Sequence, residues 1–254
     1  MKARNIVNPP RPAAATRERR IYGVHPVLEW LRAAPTEVQT VYYHPHTDRL
    51  APVVRAAAAA GVAVQAADAQ RLTSLVGHAR HQGVAAICAP FPYTDLSAAL
   101  RSNPQLLVIA DRIQDPHNLG ALIRTAEAVA AGAVVIPTDG AAPATAAVEM
   151  AAAGATALVP ICRVVNMARS LHLLRKQGYW NVGLVPRGGA DLYQFDVPER
   201  VAVVVGGEAG MRPLVRAQCD FLVSIPMLGK IESLNASVAT AIALYELRRR
   251  SAAP

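Results

Sequence analysis

The chain has 254 residues, 52% of them hydrophobic, and a formal charge of +8, so it is long enough to bury one large core or two modest ones. No apolar run approaches a membrane span and no secretory pattern opens it, which argues against an embedded or exported protein. Cys88, Cys162 and Cys219 have neither disulfide-framework nor zinc-site spacing, so a cytoplasmic protein without a metal is expected.

The positive charge is uneven. Lys2, Arg4, Arg11, Arg17, Arg19 and Arg20 against Glu18 give the first twenty residues +5 and leave the rest only +3. This Pro- and Ala-rich arm, 1–20, is expected to be disordered and able to lie along a phosphate backbone. A solubilising tail or an organellar presequence has the same composition.

From 21 to about 90, short strands and helices alternate: strand 38–44, helix 49–61 closed by Gly61, strand 62–68, helix 69–77 and strand 83–90. This predicts a small α/β domain. Residues 91–105, with two prolines, read as a linker. The second domain, 106–254, repeats the rhythm with strands at 106–111, 132–137, 155–160, 180–186, 201–208 and 221–227. Helices are expected at 119–131, 143–153, 166–178, 212–218 and 235–250. Continuous Val/Ile/Leu runs between helices predict a mainly parallel sheet covered on both faces, and such sheets bind ligands at the carboxyl ends of their strands.

Three segments carry candidate chemistry. In "DPHNLGALIRTAE", 115–127, Asn118 is placed to cap a helix, Gly120 to admit a close neighbour, and Arg124 to meet an anion on the same side as Gly120. An arginine paired with Asp111, Asp115 or Glu127 is the plainer reading. In "VVVGGEAGM", 203–211, a buried strand enters Gly206-Gly207 and sets Glu208 beside whatever the bare backbone admits, although any strand-to-helix turn uses glycine. In "SIPMLGKIESLNASVATAIALYELRRR", 224–250, Ser233 or Asn235 caps an amphipathic helix with Val238, Ile242 and Tyr245 on one side. Each segment is a strand end, a glycine or proline break, and polar residues, so all three can meet at one pocket. No Gly-x-Gly-x-x-Gly follows the first strand of either domain, which disfavours a dinucleotide oxidoreductase.

Across these three segments the chain resembles the SpoU/TrmH family of RNA ribose 2′-O-methyltransferases, in the SPOUT superfamily. "IYGVHPVLEWL" and "HQGVAA" are similar to the family's small L30e-like substrate-binding domain. The resemblance implies an α/β fold with a C-terminal trefoil knot, a homodimer with an active site built from both subunits, and S-adenosylmethionine (SAM) as cofactor. It places the cofactor against Gly206, Ile225 and Leu234, with Gly207 and Met227 close by, and matches Asn118, Arg124, Glu208, Ser233 and Asn235 to functional polar positions. Its two-domain form points to ribose methylation of RNA, a guanosine of 23S rRNA first. A tRNA or antibiotic-site rRNA target, or a non-catalytic RNA-binding relative, is the alternative.

Physically, Arg124 suits a phosphate clamp better than a base because a guanidinium keeps its proton, which leaves Glu208 or a phosphate oxygen as proton acceptor. Two departures from the family pattern stand out. "GGEAGM" is one residue short, with Ala209 where a glycine is expected, so strain is predicted if that residue needs φ > 0. "EMAAAGA", 149–155, lacks the Lys and the Ser or Cys of the family, so an altered RNA or dimer contact is expected there.

Overall fold

The computed structural model describes residues 18–251, and of the 1–20 arm all but the last three residues lie outside that range. The arm was expected to run through Arg20, but the chain is a strand from Arg19. Strand β1 (Arg19–Tyr22) pairs antiparallel with β4 and is held there by a buried side chain, described below.

The first domain contains β1, α1 (Val24–Ala33), β2 (Val38–Tyr43), α2 (Ala51–Ala59), β3 (Ala63–Ala66), α3 (Ala69–Val76) and β4 (Val84–Cys88). Its sheet has the order β1-β4-β2-β3, antiparallel except for β2 with β3. Asp68 caps α3 by accepting from Arg71 N, and Gly77 ends it in the left-handed region. Ile21, Val27, Trp30, Leu31, Val41 and Val53 fill the space between sheet and helices. The segment 91–105 holds one short helix, α4 (Leu96–Ala99), capped by Asp95.

The second domain contains β5 (Leu106–Asp111), α5 (Pro116–Ala128), β6 (Ala133–Pro137), α6 (Ala146–Ala151), β7 (Ile161–Val164), α7 (Met167–Lys176), β8 (Trp180–Leu184), β9 (Ala190–Asp191), β10 (Val201–Gly206), α8 (Pro213–Arg216), β11 (Phe221–Ser224) and α9 (Ala236–Ser251). The sheet order is β7-β6-β5-β10-β8-β11-β9, and the neighbouring strands pair in parallel. The strand period of two explains the unbroken apolar runs. On β5, Leu106, Val108 and Ala110 face the core under α5, α6 and α9, while Leu107 and Ile109 face the core under α7 and α8. On β10, Val201, Val203 and Val205 alternate in the same way with Ala202 and Val204.

Four expectations are corrected. The strand predicted at 155–160 is a single 3₁₀ turn, Ala155–Ala157, and the strand starts after Pro160. Ala153 and Gly154 are both left-handed and turn the chain there. Helix α5 begins at Pro116 rather than 119, because Asp115, not Asn118, is the cap: its Oδ1 accepts from His117 N at 3.1 Å and Pro116 takes the first position. On α9 the buried residues are Thr240, Ala243, Leu244 and Leu247, whereas Val238 and Tyr245 of the expected apolar side are 47% and 57% exposed. Ala209 does not take a positive φ; Gly210 does, at +77°, so the shortened loop carries no strain at its alanine.

The two domains are joined by a buried polar cluster. Glu149 of α6 is fully buried; its Oε1 accepts from Arg19 Nη1 at 2.6 Å, and its Oε2 from Trp30 Nε1 at 2.6 Å and Thr156 Oγ1 at 2.9 Å. The Arg19 guanidinium lies 4.0 Å from the Trp30 ring centroid. Burial pushes the Glu149 carboxyl up from its ordinary value, against the pull of Arg19 and the Trp30 and Thr156 hydrogen bonds. Strand β1 and helix α1 are thereby fastened to α6.

Candidate active site

Strand β5 sits between β6 and β10, and the chain leaves it outward through β6 and β7 before returning to β8 and β10 on the other side. The carboxyl ends of β5 and β10, Asp111 and Gly206, are therefore neighbours in register at the point where the strand order reverses. That is where an open parallel sheet leaves a crevice.

A cavity of about 290 Å³ opens there. Its walls come from β8 (Leu184) and the segment after it, from β10 (Val205, Gly206) and its loop, from the segment after β11 (Ile225, Met227), from the start of α9, and from Asn118 in the first turn of α5. Gly206, Gly207, Ile225, Met227 and Leu234 all line it, as do Asn118, Glu208, Ser233 and Asn235. Arg124 does not. It is exposed on α5 and has no hydrogen bond or ion pair among the described residues. Gly120 is not a ligand approach either. A Cβ there would stand 2.5 Å from Ala151 Cβ and 2.7 Å from the Val148 carbonyl oxygen, so this glycine lets α5 lie against α6.

The loop after β10 is closed by its own backbone. Gly207 N donates to the Asp111 carbonyl at 3.1 Å and Gly210 N to the Gly207 carbonyl at 2.8 Å, while any Cβ on Gly206 would overlap Gly210 and Met211 N. Asp111 is fully buried and anchors the other end of the loop. Its Oδ2 accepts from Arg212 N at 2.8 Å and its Oδ1 from Arg212 Nε at 2.8 Å and Nη2 at 2.5 Å. Asp111, one of three acids offered to Arg124 in the plainer reading, is instead paired with Arg212, a residue without a place in the sequence-level reading. Only the run of Asp111 after an apolar strand hinted that its charge needs a buried cation.

On the opposite wall, Asn235 Oδ1 accepts from Ser237 N at 2.9 Å and caps α9, and its Nδ2 donates to Asn118 Oδ1 at 2.9 Å. The first and third segments are thereby bonded to each other at the cavity edge, and Asn118 keeps its amide N–H groups unbonded within the described residues.

Among the residues lining the cavity, Glu208 alone is ionisable. Apolar side chains, bare backbone and one carboxylate make a site suited to a flat, partly apolar ligand that carries positive charge. Cysteine chemistry finds no support: burial pushes the thiols of Cys88 and Cys219 up to about 12 and that of Cys162 to about 11. Among the described residues no cluster of three or more His, Cys, Asp or Glu is placed to hold a metal, and no helix is long and apolar enough to cross a membrane.

Comparison with known proteins gives two family matches. Residues 105–245 match the SpoU rRNA methylase family, and residues 20–94 match the RNA 2′-O ribose methyltransferase substrate-binding family. The chain is 40% identical over 242 residues to the 23S rRNA (guanosine-2′-O-)-methyltransferase RlmB of Coxiella burnetii, covering 92% of this chain and 96% of that one. It is 41% identical over 239 residues to the protein of the same name from Escherichia coli K12, covering 91% and 98%. Among solved structures, the SpoU methyltransferase AviRb from Streptomyces viridochromogenes, in complex with the cofactor AdoMet, superposes with a TM-score of 0.79 at 26% identity, over 92% of this chain and 90% of that one.

Proposed function

The chain belongs to the SpoU rRNA methylase family, and from that premise we propose that it methylates the ribose 2′-oxygen of a guanosine in 23S rRNA, with SAM as methyl donor. One observation carries the reading: three segments distant in sequence converge on one cavity, and nine of the ten positions that the family resemblance matches in them line it.

The cavity fits this cofactor. Its apolar walls suit an adenosine, and a single carboxylate in an otherwise neutral lining suits a sulfonium cation. On this reading Gly206, Ile225 and Leu234 hold the cofactor with Gly207 and Met227. When bound, SAM supplies a methyl group already activated on sulfur. The chain must then orient the ribose in line and receive its proton. Glu208 would receive the proton of the ribose 2′-hydroxyl, and the cofactor would supply the methyl group that replaces it. Asn118, fixed by Asn235, and Ser233 hold the hydroxyl. Threading of the segment after β11 into a trefoil knot belongs to the same reading.

Because Arg124 is exposed and does not line its own chain's cavity, we place it in the cavity of a second copy. The exposed Val238 and Tyr245 on neighbouring α9 supply apolar surface for that homodimer. There Arg124 steadies the developing alkoxide without giving up its own proton.

The test uses purified protein, labelled SAM and in-vitro-transcribed 23S rRNA. A single 2′-O-methylguanosine is expected, together with a rise in melting temperature on adding SAM. Neither signal, or methylation of tRNA alone, refutes the assignment. Arg124→Ala and Glu208→Gln should each be inactive alone, and an equal mixture should regain about a quarter of wild-type activity, since half the dimers then hold one intact site. No recovery on mixing refutes the shared site.

A further inference from the structure

We propose that Arg112, which lies in none of the three segments, grips a backbone phosphate of the nucleotide being methylated, from the same subunit that holds the cofactor. The proposal rests on the methyltransferase reading above.

A second hollow, of about 430 Å³, lies against the first and shares Asn118, Gly207, Glu208, Gly210 and Ala236 with it. Glu208 therefore faces both spaces, as a proton acceptor between a methyl donor and a ribose must. The volume suits one nucleotide drawn out of its stack rather than a helix. The far wall presents Arg112, Gln114 and Arg212.

Of the two cations, Arg212 is committed, since it makes three hydrogen bonds to the buried carboxylate of Asp111. The acid Asp115 is engaged in capping α5. Arg112 is exposed and has no hydrogen bond or ion pair among the described residues. It is thus the cation of this hollow, within the described residues, that is free to meet an incoming anion. A guanidinium presents the paired donors that match phosphate oxygens.

Its backbone adds a second, independent sign. Arg112 follows the last residue of β5 with φ +60°, a conformation that suits glycine and persists elsewhere only where the surroundings hold it. Here they do: Asp111 before it is anchored by Arg212, and Gly207 packs on the Arg112 carbonyl. The side chain then passes over Gly140, where a built Cβ would stand 2.8 Å from Arg112 Nε. A strained residue with a free charge, laid across a bare glycine at the rim of a nucleotide-sized hollow, is arranged for a ligand rather than for the fold.

Arg112→Gly removes the charge and suits the left-handed backbone, so the variant should fold and melt no lower than wild type. Arg112→Gln keeps the length and the strain. With in-vitro-transcribed 23S rRNA, both should raise KM for RNA about tenfold, with kcat and SAM affinity little changed. The slope of log kcat/KM against log salt should become shallower by about 0.7–0.9, the release of one phosphate's counterions. Arg112→Lys should restore part of both. Wild-type KM and wild-type salt slope in both neutral variants would overturn the assignment. An absence of turnover in the wild type itself would instead sink the methyltransferase reading, and this acceptor site with it.

Discussion

Replacing Glu149 with alanine removes the carboxylate that joins the two domains and strands three donors around it. Arg19 becomes a buried, unpaired charge with a side chain only 6% exposed, and the Trp30 N–H and the Thr156 hydroxyl lose their acceptor. Breaking a buried ion pair from one side costs about 3–5 kcal/mol. At about 2–4 °C per kcal/mol for a chain of this size, the melting temperature should fall by roughly 10 °C. The double variant Arg19→Met with Glu149→Leu eliminates both charges and leaves only two neutral donors to be re-satisfied. Each costs on the order of 1 kcal/mol, so about half the loss should return. Urea denaturation of wild type, Arg19→Met, Glu149→Leu and the double variant, with Glu149→Ala alongside, measures this. The reasoning fails if Glu149→Ala loses less than about 1 kcal/mol, or if the double variant is less stable than the two single losses added together. Methylation reports the second consequence. With the first domain no longer held against α6, KM for RNA should rise while SAM binds as before.

Two further outcomes follow from the geometry. Gly206→Ala forces a methyl group into the backbone of Gly210 and Met211, so the loop must open and calorimetric SAM affinity should fall about tenfold or more; unchanged affinity would place the cofactor elsewhere. His81, 7% exposed, has its pKa lowered by burial first and then by His78 and His44. The unfolded chain therefore binds the extra proton more readily, so this contribution to stability is present above pH 6.5 and is lost as pH falls below it. Melting temperatures across that range should decline on acidification in wild type and decline less in His81→Gln, and equal slopes in the two proteins would refute the claim.

Much of the sheet was legible because burial on both faces leaves continuous Val/Ile/Leu runs, as in β5, β6 and β10. The same property misplaced β7. "ATALVP" and "ICRVV" are both apolar, and only the left-handed turn at Ala153 and Gly154 decides which becomes the strand. Helix α9 misled in another way. Its core face is made of Thr240, Ala243, Leu244 and Leu247, with the threonine hydroxyl donated to the Ala236 carbonyl at 2.6 Å, while Val238 and Tyr245 face outward. Hydrophobic periodicity finds the more apolar side of a helix, and that side meets its own core only when no other surface competes for it. The outward Val238 and Tyr245 supply apolar surface for the homodimer that the family resemblance implies.

At the site, residue type and strand-end position were enough to expect the three segments around one pocket, because glycine and proline breaks after buried strands leave few places for the chain to go, whereas the cofactor positions at Ile225, Met227 and Leu234 came from the family resemblance. Spacing said nothing of charge partners. Arg19 was counted with a loose basic arm and lies in the domain interface against Glu149, 130 residues away; Arg212 neutralises Asp111 across 101 residues. These pairings alter the inference from charge. A net charge of +8 suggests cations available to RNA, yet the structure commits Arg19 and Arg212 to buried carboxylates. Which arginine meets a phosphate is therefore decided by which one the fold leaves without an acid. Around the acceptor hollow that residue is Arg112, and what marks it is a backbone torsion, a quantity that no pattern of residue types records.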